Sequence, residues 1–194
     1  QLMKVRPLGA GEAPAITHLG YSVEDYDPAR VLAALAALGY ERIDAPSISA
    51  SGLEHAMKSW VREVGDTQEI YFADPRGLIV QLTHPDYCGG SGPSGDLCEP
   101  APAAQPGLMR LSELNHFTVF LNDGVGANRY YQETFGLEVQ AHQGPQAEVT
   151  GIGDGYQFVM YAGAAREEAT PANIHHGCFN LPGFDEQGIL GLLT

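Results

Sequence analysis

Residues 16–27 (ITHLGYSVEDYD), 114–123 (LNHFTVFLND) and 174–185 (IHHGCFNLPGFD) are three versions of one segment and align without a gap. Each version carries a histidine at its third position: His18, His116 and His176. A supersecondary unit that recurs along a chain is typical of a repeat architecture. The alignment therefore predicts a repeated fold, and it directs the search for chemistry to one strand position.

Each histidine segment is followed by signals for a helix. Asp27 and Pro28 predict a helix start, because Asp is a preferred N-cap and Pro fits the first helical position. In the second copy the pattern predicts a helix over 127–135 that is closed by Gly136. In the third copy Asp185 is the predicted N-cap. Each unit is therefore expected to run strand, helix, then two or three strands.

The last strands of the units also align, and they bear on the ends of the chain. Residues 77–83 (GLIVQLT) align with 155–161 (GYQFVMY), and residues 1–5 (QLMKV) resemble 157–161. We therefore expect the chain to begin in the last strand of one unit and to end inside the helix of another. The natural protein would then have four units in two modules, although irregular ends are the simpler alternative. A helix stopped in its second turn is unstable alone, which favours truncation.

The expected domains follow from this pattern. A first module spans 1–87 and a second module spans 111–194, with a Gly/Pro-rich linker at 88–110 between them. Two cysteines, Cys88 and Cys98, flank the glycine-rich part of the linker. They are either a disulfide, which would indicate an exported protein, or two reduced thiols in a cytoplasmic one.

Composition limits the partners. A formal charge of −14 argues against nucleic-acid binding. No apolar run approaches the ~20 residues of a membrane-spanning helix. A missing N-terminus would hide any signal peptide, so localisation stays open.

Three motifs resemble the vicinal oxygen chelate superfamily, which includes glyoxalases, extradiol dioxygenases and bleomycin-resistance proteins. They are the His-x-x-x-x-Val-x-Asp pattern that begins at His18, the Phe-Gly-Leu-Glu helix end at 135–138, and the segment 71–82 (YFADPRGLIVQL). The resemblance covers nearly the whole chain apart from the linker. It implies an α+β fold of repeated βαβββ units, whose sheets pair into open barrels around a divalent metal.

The resemblance also implies metal ligands. His116 and His176 would bind Fe(II), Mn(II) or Zn(II) in the second module, with a third ligand beyond Thr194. His18 and Gln81 form a second candidate pair, although Gln81 is neutral where the family has Glu. The alignment places Met3 and Val159 at the position of Gln81. Neither residue is a ligand, which favours the three-ligand arrangement of extradiol dioxygenases over the four-ligand arrangement of glyoxalases.

Several alternatives remain open at this point. A histidine on an apolar strand is more often hydrogen-bonded in a core than a ligand. His175 should face away from His176, in a surface or supporting role. Tyr156 and Tyr161 could orient a substrate, although aromatic packing is the competing interpretation.

The function expected from the resemblance is metal-dependent catalysis on a small substrate with vicinal oxygens. Extradiol ring cleavage and a related lyase or isomerase reaction are both of this type, and the sequence nominates no general base. The competing hypotheses are a metal-free binding protein for a drug or metabolite and a structural module. Units could also be exchanged between the subunits of a homodimer.

Overall fold

The computed structural model describes residues 9–11, 13–46, 52–65, 67–87, 89, 105, 107–145, 147–164 and 170–193. This part of the chain is an α+β structure with two five-stranded mixed sheets and three α-helices, in agreement with the predicted class. Neither sheet closes into a barrel within these ranges. Most of the predicted linker, including Cys88 and Cys98, lies outside the described residues, as do Met3 and the other residues of 1–8.

The first sheet is formed by the earlier part of the chain. Its strands are β1 (Leu19–Ser22), β2 (Glu41–Arg42), β3 (Lys58–Val64), β4 (Thr67–Ala73) and β5 (Ile79–Thr83). They lie in the order β1-β5-β4-β3-β2, and β1 runs parallel to β5. Helix α1 (Pro28–Ala37) connects β1 to the rest of the sheet, and parallel strands require a crossover of this kind.

The second sheet has a related order. Its strands are β6 (Glu113–Phe120), β7 (Val139–His142), β8 (Glu148–Gly151), β9 (Phe158–Ala162) and β10 (Asn173–Asn180), in the order β10-β6-β9-β8-β7. Strand β6 runs parallel to β9, and helix α2 (Gly124–Phe135) lies between β6 and β7 in the chain. Strand β10 adds to the free side of β6 in antiparallel orientation and is followed by α3 (Glu186–Leu193).

The helix boundaries follow the predicted capping signals. The Asp27 side chain accepts a hydrogen bond from the Arg30 backbone N–H at 3.0 Å. Asp185 caps α3 in the same way, and Gly136 closes α2 with a φ of 66°. Helix α2 starts three residues earlier than predicted, because Asp123 acts as its N-cap and accepts from the Gly126 N–H at 2.9 Å.

The two sheets share one hydrophobic core. Buried residues from both sheets, including Phe72, Val80, Val119 and Val159, belong to a single cluster. The turn after β4 contributes polar links between the two parts of the chain. The buried Asp74 carboxylate accepts from the Tyr131 hydroxyl of α2 at 3.1 Å.

A second polar link starts at the same turn. The Arg76 guanidinium lies 2.9 Å from the Asp123 carboxylate, and the Arg76 carbonyl accepts from the Ala172 N–H at 3.1 Å. Hydrogen bonding from Gly126 lowers the pKa of Asp123, and the nearby Arg76 lowers it further. The turn thus joins the start of α2 and the segment before β10 to the first sheet.

The register of the parallel strands corrects the predicted alignment by one residue. In the first sheet Gln81 lies opposite Gly20, which is two residues after His18. In the second sheet the residue two after His116 is Thr118, and Met160 lies opposite it. The counterpart of Gln81 is therefore Met160 and not Val159. Because side chains alternate along a strand, a one-residue slip changes the face on which each side chain lies. Val159 is accordingly buried in the core, and the corrected position is still not a nitrogen or carboxylate ligand.

Helices in the described ranges are all too short or too polar to cross a membrane.

Candidate functional site

His116 and His176 meet on neighbouring strands at the β10 edge of the second sheet. His116 is on β6 and His176 is on β10, and their ring centroids lie 5.6 Å apart in an edge-to-face arrangement. The His116 ring also stacks on Phe158 of β9, with a centroid distance of 4.4 Å. Two of the three histidines that align in the sequence are therefore brought together by strand pairing.

Both imidazoles line an open groove of about 780 Å³. Most of its other lining residues are apolar or small, and the full set is Met109, Leu111, Ser112, His116, His176, Gly177, Cys178, Phe179, Asn180, Leu181, Pro182 and Phe184. An apolar groove with a few convergent polar groups is the usual form of a small-molecule site.

The Nδ1 atoms of both imidazoles are engaged by the residues that precede them. His116 Nδ1 lies 2.7 Å from Asn115 Oδ1, and His176 Nδ1 lies 2.7 Å from His175 Nδ1. The second contact occurs at an irregularity of the ladder, where the register shifts between Ile174 and His176. A bulge breaks the alternation of side chains, which explains why His175 does not simply face away from its neighbour.

The electrostatic setting of His116 favours its neutral imidazole. Burial lowers the pKa of His116, and the proximity of His176 lowers it further. The neutral form is the one that binds metal ions, since the imidazolium has no lone pair to donate. His176 is exposed at the surface, so the pair is open to solvent on that side.

The spacing of the two rings fits a shared divalent metal. A ring nitrogen lies about 2.1 Å from a bound Zn²⁺, so two imidazoles on one tetrahedral ion have ring centres roughly 5.3 Å apart. The observed centroid distance of 5.6 Å is close to this value. No group of three or more His, Cys, Asp or Glu side chains suited to a metal ion occurs within the described part of the chain. The pair could therefore supply two ligands and leave the other positions open.

The second candidate pair, His18 and Gln81, is also brought together, but in a different way. His18 Nε2 lies 3.1 Å from Gln81 Oε1, and His18 Nδ1 lies 2.8 Å from Thr17 Oγ1. Both ring nitrogens are thus engaged by neutral side chains. This arrangement holds the imidazole in place, and metal binding through Nε2 would require the contact with Gln81 to be given up.

Three residues beside this pair were missed in the sequence. Glu69 is only 3% exposed, and its carboxylate accepts from the Tyr71 hydroxyl at 2.9 Å and from the Tyr87 hydroxyl. The His18 ring meets Tyr71 edge-on at 5.4 Å. Glu69 precedes Tyr71 by two residues and so shares its face of β4, a signal that strand alternation could have provided. Tyr87 lies in a loop, where no periodicity indicates its direction.

The two tyrosines predicted as substrate contacts lie away from the groove. Tyr156 is 84% exposed in the turn before β9. Tyr161 is buried and stacks on Tyr131 with a centroid distance of 4.6 Å. Neither lines the groove, and the packing interpretation describes the surroundings of Tyr161.

The second-sheet pair is the better candidate. The hydrogen bonds described for His116 and His176 involve their Nδ1 atoms, whereas Nε2 of His18 is bonded to Gln81. Comparison of the sequence with models of known protein families and with curated proteins finds no match. The chemistry of His116 and His176 therefore has to follow from their own geometry.

Proposed function

We propose that this chain belongs to the vicinal oxygen chelate superfamily and acts as a metal-dependent enzyme on a small substrate with adjacent oxygens. The observation that carries the proposal is that the imidazoles of His116 and His176, with ring centroids 5.6 Å apart, both line an apolar groove. The reaction would be an extradiol ring cleavage or a related lyase or isomerase reaction.

The topology supports the fold part of the proposal. Strand β1 precedes helix α1 and pairs in parallel with β5. In the same way, strand β6 precedes helix α2 and pairs in parallel with β9. The order β6-α2-β7-β8-β9 is that of one βαβββ unit, and the first sheet has the same order with the two-residue strand β2 as an additional strand after α1. The barrels of such a fold would require the sheets to pair around a common interior, and this remains a proposal.

The chain's own residues would perform two tasks. The two imidazoles would hold Fe(II), Mn(II) or Zn(II) through nitrogen, a ligand type that suits all three ions. The ion would act as a Lewis acid toward the two substrate oxygens. The apolar lining, including Leu111 and Phe184, would contact the apolar parts of the substrate.

A metal-free binding protein is the second candidate, and a specific observation favours it. In the equivalent histidine of the first sheet, His18, the Nε2 atom is engaged by Gln81 Oε1 at 3.1 Å and is therefore not open to a metal. If the second sheet behaves in the same way, the groove would sequester an apolar drug or metabolite without chemistry.

Metal titration separates the two candidates. We expect the chain to bind one equivalent of Zn²⁺, Mn²⁺ or Fe²⁺, and we expect His116→Ala or His176→Ala to weaken binding by more than about 100-fold. This estimate follows because even residues that only orient a ligand contribute 10–100-fold to affinity. Isothermal titration calorimetry under anaerobic conditions measures the affinity for each ion.

Two variants serve as controls for this titration. His142→Ala removes an exposed imidazole from β7, and His18→Ala removes the histidine of the first sheet. Both should retain the affinity of the unmodified chain. Absence of binding in the unmodified chain, or equal loss in His142→Ala, would reject the metal-dependent proposal and leave the metal-free binding protein ahead.

A further inference from the structure

We infer that Asn115 and His175 are positioning residues, which hold His116 and His176 in the tautomer that carries its proton on Nδ1. This inference rests on the proposed function, because it assigns the Nε2 atoms of both imidazoles to the same metal ion. Neither residue would touch the ion or the substrate. Their role would be to decide which nitrogen of each ring carries the lone pair.

The Asn115 contact defines the tautomer of His116. Amide oxygen Oδ1 has no hydrogen, so a hydrogen bond to it at 2.7 Å requires that His116 Nδ1 carries the proton. A neutral imidazole carries one proton only. Nε2 of His116 must then hold the lone pair, and Nε2 is the atom that a groove-bound ion would meet.

The His175 contact constrains His176 by a different rule. Two Nδ1 atoms 2.7 Å apart can share one proton, so one ring must donate and the other must accept. For His176 to present a lone pair on Nε2, it must be the donor and His175 the acceptor. The Phe120 ring packs against the His175 ring at a centroid distance of 4.4 Å and so keeps the acceptor beside His176.

The ladder irregularity is what makes this arrangement available. Adjacent residues on a regular strand point to opposite faces and could not bring their Nδ1 atoms together. The register shift between Ile174 and His176 places His175 within hydrogen-bonding distance of the neighbouring ring. The irregularity therefore provides a support for His176 that mirrors the one Asn115 provides for His116.

The expected contribution of each support is considerable. A metal-binding histidine usually donates its other N–H to an oxygen or a nitrogen, and loss of that acceptor costs about 10–100-fold in metal affinity. Without the acceptor, the ring is free to place its proton on Nε2 or to turn away from the groove. Both changes remove the lone pair from the place where the ion would bind.

The tautomers can be read directly by NMR, without metal. Long-range ¹H–¹⁵N correlation spectra at about pH 8, where imidazoles are neutral, distinguish Nδ1–H from Nε2–H in each ring. We expect Nδ1–H for both His116 and His176, with His116→Ala and His176→Ala used to assign the signals. In Asn115→Ala the His116 tautomer should become mixed, whereas Asn115→Asp should retain Nδ1–H, because a carboxylate also accepts. His175→Ala should release His176 in the same way.

Zn²⁺ titration of the same variants adds an independent measurement. Asn115→Ala and His175→Ala should each bind Zn²⁺ at least about 10-fold more weakly, and Asn115→Asp should bind at least as well as the unmodified chain. Asn173→Ala is the matched control, since Asn173 is exposed at the start of β10 and is not among the residues that line the groove. It should leave both tautomers unchanged.

The outcomes separate this inference from the proposed function. An Nε2–H tautomer of either ring in the unmodified chain would overturn the inference, as would Zn²⁺ binding that is unaffected by Asn115→Ala and His175→Ala. Nδ1–H tautomers in a chain that binds no metal would instead support the positioning contacts and reject the metal-dependent function. If Asn115→Ala fails to fold, Asn115→Asp and His175→Ala still decide the outcome.

Discussion

Asp74→Ala is expected to lower the free energy of unfolding by about 3 kcal/mol, measured by urea denaturation. Asp74 is fully buried, and its carboxylate accepts three hydrogen bonds. One oxygen accepts from the backbone N–H groups of Arg76 at 2.8 Å and Leu78 at 2.9 Å, and the other accepts from the Tyr131 hydroxyl at 3.1 Å. Alanine would remove the partner of all three donors, and each donor that is left buried without a partner costs about 1–3 kcal/mol. Because alanine also removes the cost of burying a carboxyl group, part of that sum is offset.

Asp74→Asn separates the hydrogen bonds from the charge. Burial raises the pKa of the Asp74 carboxyl above its usual value. A carboxyl whose pKa is higher in the folded state contributes stability at acid pH, and this contribution is lost as pH rises through the folded-state pKa. Asn has no such dependence and keeps an oxygen for the two backbone donors. The stability of Asp74→Asn relative to the unmodified chain should therefore increase from about pH 4 toward neutrality.

Asp44→Ala provides the control for both substitutions, because Asp44 is exposed in the segment after β2. It should change the unfolding free energy by no more than about 0.5 kcal/mol. A similar, small effect of Asp74→Ala would mean that the turn does not depend on the carboxylate. In that case the polar link between the two sheets would be unimportant for stability.

Gly77→Ala is expected to lower the free energy of unfolding by about 3–4 kcal/mol, at least as much as Asp74→Ala. Gly77 has a φ of 77°, a conformation that disfavours side chains, and a Cβ placed there would lie 2.5 Å from the Gly52 carbonyl oxygen. The same two residues are joined by a hydrogen bond from the Gly52 N–H to the Gly77 carbonyl at 3.1 Å. Because the obstacle is backbone, no side-chain rotation relieves the overlap, and the turn must move.

Gly136→Ala isolates the part of this loss that comes from backbone conformation alone. Gly136 also has a positive φ, of 66°, but a Cβ at that position would meet no atom within 4 Å. Gly136→Ala should therefore lower the free energy of unfolding by only about 1 kcal/mol. Thermal unfolding of the two variants measures the difference, and equal losses would show that the approach of the Gly52 carbonyl is unimportant.

The sequence predicted those parts of the fold that depend on short-range signals. Asp27 and Pro28 indicated the start of α1, and Gly136 indicated the end of α2, because capping depends on a few neighbouring residues. The proximity of His116 and His176 was also anticipated, through the resemblance to the vicinal oxygen chelate superfamily, which places the histidines of two aligned segments in one module.

Other features depend on contacts that no local pattern encodes. The alignment placed Val159 over Gln81, whereas the strand register makes Met160 its counterpart, because a strand of apolar residues carries little information about which face is buried. The bonding of His175 to His176 depends on a ladder irregularity set by the pairing of β10 with β6. The contact of Glu69 with Tyr71 follows from strand alternation, whereas its contact with Tyr87 follows only from the fold of the loop after β5.

Trp60 is the chain's only tryptophan, and its surroundings make it an optical probe of one sheet. It is fully buried on β3, stacked in parallel on Tyr71 with a centroid distance of 5.8 Å, while His55 packs at 6.0 Å. Its fluorescence should therefore be blue-shifted in the native protein and red-shifted when the first sheet opens. Circular dichroism follows both sheets. Because the two sheets share one core, the two signals should change at the same urea concentration, whereas separate midpoints would mean that the sheets unfold independently.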